Sequence, residues 1–288
     1  MLTRAENNAG KQSTAWDLSG IYDFRGQQVR YGKTGKGSPL VFIHGTPFSS
    51  VVWRRIAPYI ATEREVFYFD LLGYGKSDMK EGDVSLGVQN ELFTELMDHW
   101  SIDRPDVVAH DFGGTTALRA HILNGREYRS LTLIDPVAIG PSGSPFVQQA
   151  RPHEKVFAGL PAYIHQAILR AYIAGAVHRS LSEEEMMLYM EPWLGDTGQA
   201  AFYRQIAQMS DRFTDDIENR FKEVRCPVNI LWGEEDQWIP SARGRLLAER
   251  IPGASLHIVP NASHLVQEDA PEAIVAAILH FLKREVPS

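Results

Sequence analysis

Six short runs of aliphatic, β-branched and aromatic residues recur along the chain, and each run ends abruptly in turn-forming residues. Helical hydrophobic spacing follows most of these runs, which is the pattern of a parallel sheet whose strands are joined by crossover helices. Two shorter runs, 20–23 and 28–31, flank a predicted turn and indicate an antiparallel hairpin at the sheet edge. The sequence therefore predicts an α/β fold with a mostly parallel sheet, whose parallel strands are 39–44, 65–71, 106–111, 130–135, 227–232 and 255–260.

Helical spacing also locates the segments that flank the sheet. Residues 86–100 and 113–123 have this spacing, and the last helix has one apolar face formed by Ile274, Ala277, Ile278, Phe281 and Leu282. The strand pattern disappears between residues 140 and 218, where helical patterns follow one another. We therefore predict a helical cap at 140–218, inserted into an α/β core formed by residues 1–139 and 219–288.

The bulk composition limits the partners. At 288 residues the chain is long enough for one α/β domain with an inserted cap, and its net charge of −7 disfavours nucleic acid and anionic membranes. The single cysteine, Cys226, excludes an intramolecular disulfide. Residues 1–16 lack the apolar core of a signal peptide, and no apolar run approaches the ~18 residues of a membrane span. We expect a cytoplasmic monomer or homodimer that binds a small-molecule substrate, with no nucleic acid and no membrane as partner.

No pattern in the chain predicts a cofactor or a metal. Gly73 and Gly75 are too closely spaced for a dinucleotide-binding motif, and no phosphate-binding loop follows a predicted strand. The histidines within predicted helices lack the spacing of metal ligands. We therefore expect chemistry that side chains and backbone groups carry without a cofactor.

The most informative motif is Ala109-His110-Asp111-Phe112-Gly113-Gly114, at the point where a predicted strand turns into a helix. A nucleophile elbow requires small residues two positions before and after the reactive residue, because larger side chains would clash in so tight a turn. Ala109 and Gly113 meet that requirement, and Asp111 occupies the reactive position. An aspartate at such a place is also a common helix N-cap, so the motif alone leaves both interpretations open.

Two further motifs favour the catalytic interpretation. The stretch His44-Gly45-Thr46-Pro47 follows the first parallel strand, where a backbone N–H for an oxyanion is expected. Asp236 and His264 follow the last two predicted strands, so the chain order is nucleophile, acid, histidine. Asp135 is an alternative acid, although its position before Pro136 also suits a turn.

On these motifs, and on the turn Asp70-Leu71-Leu72-Gly73-Tyr74-Gly75-Lys76-Ser77, the chain from Asp23 onward resembles the α/β-hydrolase family. The resemblance implies an α/β-hydrolase fold. An aspartate at the elbow is similar to the one in epoxide hydrolases and haloalkane dehalogenases. In those branches a carboxylate attacks an sp³ carbon and forms an alkyl ester with the enzyme, which water then cleaves.

The resemblance also implies a role for each site residue. Asp111 is expected to be the nucleophile, and His264, oriented by Asp236, is expected to activate the water. The backbone N–H groups of Thr46 and Phe112 are expected to stabilise the oxyanion, in a binding loop that begins with His44 and Gly45.

The residues next to the elbow speak against a halide site. Haloalkane dehalogenases hold the departing halide with a tryptophan directly after the aspartate and with an asparagine or second tryptophan, where this chain has Phe112 and Thr46. Phenylalanine has no ring N–H to donate. Fluoroacetate-type dehalogenases hold the substrate carboxylate with arginines just after the nucleophile, whereas Arg119 is a turn further along. Both dehalogenase interpretations are therefore weakened.

Epoxide hydrolases protonate the opening ring with cap tyrosines, and the segment 182–205 is similar to the cap segment that carries one of them. Tyr203 is the candidate acid, while the partner position holds no tyrosine and leaves Tyr163, Tyr172 or His153 open. We predict an epoxide-hydrolase-like enzyme for a small to medium apolar substrate. The alternatives are a haloalkane or haloacid dehalogenase, a non-catalytic ligand-binding protein, and a serine hydrolase in which Asp replaces the nucleophile.

Overall fold

One mixed sheet organises the part of the chain that the structure describes, residues 16–285 of a computed structural model. Its strands are β1 (Gly20–Phe24), β2 (Gln27–Gly35), β3 (Ser38–Ile43), β4 (Arg64–Phe69), β5 (Asp106–His110), β6 (Ser130–Ile134), β7 (Val228–Gly233) and β8 (Ser255–Val259). They pair in the order β1-β2-β4-β3-β5-β6-β7-β8. Only the β1–β2 and β2–β4 pairs are antiparallel among these neighbours. The predicted edge hairpin and the predicted parallel strands are confirmed.

Helices follow most of the strands. They are α1 (Ala57–Ile60), α2 (Leu86–His99), α3 (Phe112–Asn124), α4 (Pro145–Ala150), α5 (Glu154–Ala158), α6 (Ala162–Ala174), α7 (Glu183–Met190), α8 (Gly195–Ala207), α9 (Arg212–Glu218), α10 (Ala242–Arg250), α11 (Val266–Asp269) and α12 (Pro271–Glu285). The chain between β6 and β7, all of it described, forms α4 to α9 and no strand. The predicted α/β fold is confirmed, and the division into cap and core stays a prediction.

Residues 1–15 and 286–288 lie outside the described part of the chain. The expectation that residues 1–16 contain no signal peptide, and the outermost bounds of the predicted core, therefore stay predictions. Within residues 16–285, no helix combines the length and hydropathy that a membrane crossing demands.

The central strands β5 and β6 are buried at every residue. Such burial requires cover on both faces of the sheet, which explains why these strands have continuous rather than alternating apolar patterns. Both strands end earlier than predicted, because Asp111 and Asp135 leave the ladder with positive φ values of +50° and +41°. These two aspartates therefore lie at the same edge of the sheet, one strand apart.

A buried ionic cluster holds the segment before α7 against the loops of the sheet. Glu268 is 1% exposed, and its carboxylate accepts from Arg54 Nη1 at 2.5 Å and from Arg179 Nη2 at 2.7 Å. Arg55 Nη1 lies 3.1 Å from the same carboxylate. Three guanidinium groups thus compensate one buried charge, which would otherwise be costly to desolvate.

We predict that Gly113→Ala destabilises the fold by about 1–3 kcal/mol, as overpacking of a tight contact does. A methyl group at Gly113 would lie 2.5 Å from the carbonyl oxygen of Ile43, a backbone atom that cannot move aside cheaply. Gly159→Ala is the control, because its methyl would come no closer than 3.2 Å to the nearest atom outside its neighbours. Urea unfolding measures the free energy of unfolding of both variants. Equal values would contradict the close contact between Gly113 and the Ile43 carbonyl.

Candidate active site

Loops at the carboxyl ends of four parallel strands bring the predicted site residues together. Thr46 follows β3, Asp111 follows β5, Asp236 follows β7 and His264 follows β8. The carboxyl edge of an open α/β sheet is where ligands bind, because the loops that leave neighbouring strands converge there. The strand order thus accounts for the meeting of residues that are far apart in sequence.

Asp111 occupies a strained turn between β5 and α3. Its backbone has φ +50° and ψ −117°, a region that residues other than glycine rarely adopt. Neighbouring loops hold it there, since the Asp111 N–H donates to Ile134 O at 3.1 Å and its carbonyl accepts from Val137 N at 3.3 Å. The carboxylate makes no capping bond to α3. The interpretation of Asp111 as a side-chain N-cap therefore does not apply.

The Asp111 carboxylate is held by the loop that follows β3. The Thr46 N–H donates to Asp111 Oδ1 at 2.8 Å. Gly45 permits this approach, because a Cβ there would lie 2.3 Å from Asp111 Cβ. Phe112 is the first residue of α3, and its N–H has no acceptor within the helix. Of the two predicted oxyanion donors, Thr46 thus bonds to the carboxylate, whereas the role of the Phe112 N–H stays a prediction.

His264 lies between two carboxylates. Its Nδ1 is 2.9 Å from Asp236 Oδ2, and its Nε2 is 3.4 Å from Asp111 Oδ2, an ion-pair distance rather than a well-formed hydrogen bond. The other oxygen of Asp236 accepts from the N–H groups of Trp238 at 2.8 Å and Ile239 at 2.9 Å. Asp236 is therefore fixed in position and His264 is oriented toward Asp111.

The electrostatics of this site follow from burial and from the two carboxylates. Burial by itself would lower the pKa of His264, but contacts with Asp236 and Asp111 raise it well above its usual value of 6.5. Burial lowers the pKa of the neighbouring His110 to about 3, so this imidazole is neutral. His110 Nε2 then donates to the carbonyl oxygen of His264 at 3.0 Å and holds its loop.

His44, which was predicted to contribute to binding, fixes the loop that follows β3. Its Nε2 accepts from Leu71 N at 2.9 Å, which leaves the proton on Nδ1 to donate to the Gly45 carbonyl, also at 2.9 Å. The Thr46 hydroxyl donates to Gln205 Oε1 at 2.8 Å. The loop is thus tied both to the turn after β4 and to helix α8.

A small cavity of about 30 Å³ adjoins the Asp111 carboxylate. A volume of this size has room for water but not for an organic substrate. No lining residue carries a positive charge, although Arg151 Nη2 bonds to Ser142 O behind the wall. The wall contains apolar side chains and four hydroxyl groups, and its residues are Thr46, Asp111, Phe112, Val137, Ser142, Gly143, Ser144, Val147, Tyr172, Met209, Trp238 and Ile239.

A stacked aromatic pair lies where the cavity adjoins an outer groove. The rings of Tyr172 and Trp238 lie 4.4 Å apart at an interplanar angle of 11°, and Trp238 also packs against the His264 ring at 4.9 Å. Tyr172, Trp238 and Ser144 line both the cavity and the groove, whose volume is about 620 Å³. The cavity and the groove therefore adjoin at this pair.

The structure does not bring Tyr203, the predicted acid, to the cavity. Tyr203 is 1% exposed, and its hydroxyl lies 3.0 Å from His165 Nδ1. His165 Nε2 lies 2.9 Å from the Trp193 carbonyl, which can only accept, so the Tyr203 hydroxyl donates to Nδ1. Burial raises the pKa of Tyr203 to about 12. The Tyr203 hydroxyl thus donates its proton within the packing of α6 and α8, and Tyr203 is not among the residues that line the cavity.

Three residues near the site were not assigned to it from the sequence. Trp238 follows Asp236 by two positions, so its closeness to the acid could have been inferred from spacing. Tyr172 was one of several open alternatives, and only the packing of α6 on the loop after β7 selects it. Gln205 gave no sequence signal, because a helical glutamine is usually solvated.

Known proteins show the same overall pattern. The sequence profile described as the alpha/beta hydrolase family matches residues 40–277. A haloalkane dehalogenase of Sphingobium indicum is 26% identical over 288 residues, covering 92% of this chain and 95% of the relative. The crystal structure of an alpha/beta hydrolase fold protein from Burkholderia ambifaria is 56% identical, covers 92% of this chain and 98% of its own, and has a TM-score of 0.90. The epoxide hydrolase CorEH is 22% identical with a TM-score of 0.75, covering 92% and 98%, a likeness of fold alone.

We predict that Asp111→Asn lowers the pKa of His264 by about 1 or more, because one of the two carboxylate charges that stabilise the imidazolium is removed. Glu235→Gln is the matched control, since Glu235 is exposed and its substitution removes an equal charge near the same loop. NMR titration of the His264 ring measures the change. Equal pKa values in wild type and Asp111→Asn would show that the two groups do not interact.

Proposed function

This chain belongs to the alpha/beta hydrolase family, and we propose that it attacks its substrate with Asp111 and forms a covalent alkyl ester. One observation carries the proposal. The Asp111 carboxylate lies between an N–H donor on Oδ1, supplied by Thr46, and the His264 imidazole at Oδ2. A carboxylate so placed is a nucleophile for an sp³ carbon, and the same neighbours serve the hydrolysis of the ester that results.

In the first step Asp111 Oδ2 bonds to the substrate carbon while the bond to the leaving atom breaks. Oδ1 then becomes the ester carbonyl oxygen and stays against the Thr46 N–H. In the second step water loses a proton to His264 and adds to the ester carbon, and the oxyanion forms on Oδ1. The N–H groups of Thr46 and Phe112 stabilise it. The bond between the ester carbon and the alkyl oxygen then breaks, and His264 gives its proton to the departing alcohol.

Alkylation itself prepares His264 to act as a base. In the free enzyme the charge of Asp111 helps to keep the imidazole protonated, so that it is a poor base. Esterification removes that charge, the pKa of His264 falls, and the imidazole releases its proton to solvent before it accepts one from water. Asp236 stays bonded to Nδ1 and stabilises the imidazolium that forms as water is deprotonated.

The walls of the cavity favour an uncharged, mainly apolar substrate. A carboxylate-bearing substrate would bring a second negative charge next to Asp111, and no lysine or arginine lines the cavity to compensate it. The imidazole of His264 already lies between the carboxylates of Asp111 and Asp236. We propose that residues 140–218 act as a cap, and that substrate enters from the outer groove when Tyr172 and Trp238 move apart. The volume behind this pair is far below that of an organic substrate, so binding requires the cavity to widen as the pair moves.

Tyr172 is our candidate for the acid that opens an epoxide ring. It is the one tyrosine among the described residues that line the cavity. Burial and the charge of Asp111 raise its pKa far above 10, so it keeps its proton at neutral pH. A retained phenol proton can be donated to the ring oxygen as negative charge develops on it.

Dehalogenation is the second candidate, favoured by the dehalogenase relative that aligns over nearly the whole chain. The first step would be the same, with a halide as the leaving group. Halide departure is assisted by N–H donors, and Trp238 is the one lining residue with an indole N–H. Phe112 directly after the nucleophile offers no ring donor, so we place this activity second.

We predict that a single turnover in ¹⁸O-labelled water places label in the Asp111 carboxylate, because water adds to the ester carbon of Asp111. His264→Gln should accumulate the ester, visible as a mass increase on the peptide that contains Asp111. The panel comprises epoxides and haloalkanes, which separates the two candidate activities. Turnover with label in the product alone would exclude the covalent mechanism.

We predict that Tyr172→Phe lowers kcat/KM for epoxides by about 10²–10⁴-fold, the usual contribution of a general acid. Tyr203→Phe is the matched control and should leave this value within about threefold, because its hydroxyl bonds to His165 away from the cavity. Steady-state kinetics on both variants decide the assignment. A larger loss at Tyr203 than at Tyr172 would restore the prediction made from sequence.

A further inference from the structure

A second buried carboxyl group lies beside the acid of the site. Asp135 is 0% exposed and follows β6, next to the strand that leads to Asp236. Its Oδ1 accepts from the Gly233 N–H at 2.9 Å. Its Oδ2 is equally buried and has no hydrogen-bond partner among the described residues. A buried carboxylate oxygen without a donor is costly, so its protonation state needs an explanation.

The neighbours of Asp135 supply that explanation. One polar side-chain atom from each of Asp135, Asp236 and His264 can be chosen so that the three atoms lie within 4.8 Å of one another. Both oxygens of Asp236 already accept bonds, Oδ1 from two backbone N–H groups and Oδ2 from His264. Asp135 is therefore a further buried carboxyl group close to the Asp236–His264 pair. Like charges so close together in a buried place cannot both be ionised cheaply.

We propose that Asp135 is a neutral positioning residue, which carries a proton on its free oxygen and donates it toward the Asp236 carboxylate. The groups that face it are Asp236 from the loop after β7 and His264 from the loop after β8. Burial, and then the charge of Asp236, raise the pKa of Asp135 well above its usual range, against the opposing effects of His264 and the Gly233 N–H.

This role rests on the proposed function in one respect only, that the Asp236–His264 pair serves the hydrolysis. A neutral donor supports Asp236 without adding charge to the site. An ionised Asp135 would instead be a second counter-ion, which would raise the pKa of His264 further and leave less of the imidazole in its unprotonated form. The two states of Asp135 therefore predict different responses to the same substitution.

The first test needs no substrate. Protein labelled with ¹³C at the aspartate carboxyl carbon should show one protonated aspartate at pH 7 that is absent from Asp135→Asn. The pKa of His264 should change by less than about 0.5 in this variant, because asparagine also donates from the same place. Absence of a protonated aspartate in wild type, or a fall of about 1 or more in the pKa of His264, would overturn the proposal.

The second test uses turnover. Asp135→Asn should keep kcat/KM within about threefold and preserve the acid limb of its pH profile, whereas Asp135→Leu should lose about 10–100-fold, as loss of an orienting partner does. Equal losses in the two variants would also overturn the proposal. If Asp135→Asn does not fold, through-bond assignment of the protonated resonance in wild type identifies the residue. Failure of wild type to turn over any substrate counts against the proposed function alone, because the NMR result stands without substrate.

Discussion

The strained turn at Asp111 is the constraint on which the rest of the site depends. Its positive φ aims the carboxylate out of the sheet, and the bonds to Ile134 and Val137 hold it there. The turn is possible only because Gly45 and Gly113 let the neighbouring loops approach within a distance that any side chain would prevent. The short contact that results places the Thr46 N–H on the carboxylate. Backbone packing therefore creates the place that we propose for the oxyanion.

The site confines its negative charges around a single imidazole. Asp111 and Asp236 lie on opposite sides of His264, and the described residues around the cavity add no cation. A loss of charge at Asp111 consequently lowers the pKa of His264 directly, because few other groups screen the interaction between them. The neutral His110 holds the His264 loop without altering this balance. Elsewhere the protein handles buried charge differently, with three arginines around Glu268.

The sequence carried more information about the sheet than about the helical segment, for a physical reason. Short apolar runs with abrupt ends indicate parallel strands, and the carboxyl ends of such strands meet at one edge, so Asp111, Asp236 and His264 could be grouped by sequence reasoning alone. The choice between Tyr203 and Tyr172 depends on how α6 and α8 rotate against one another. Both tyrosines lie on amphipathic helices, and hydrophobic spacing does not reveal which one faces the nucleophile. Asp135 lies near Asp236 because β6 pairs with β7, and its complete burial depends on packing that the sequence around it does not reveal.

The stacked pair of Tyr172 and Trp238 has a consequence for the timing of the reaction. With Tyr172 and Trp238 stacked, the space beside Asp111 is about 30 Å³, which has room for water but not for an organic substrate. The water that hydrolyses an ester formed there would thus come from a few molecules beside Asp111 and not directly from bulk solvent. The exchange of alcohol for water then requires the aromatic pair to part once in each cycle. In such an enzyme the speed of ring separation, and not bond cleavage, can set the overall rate.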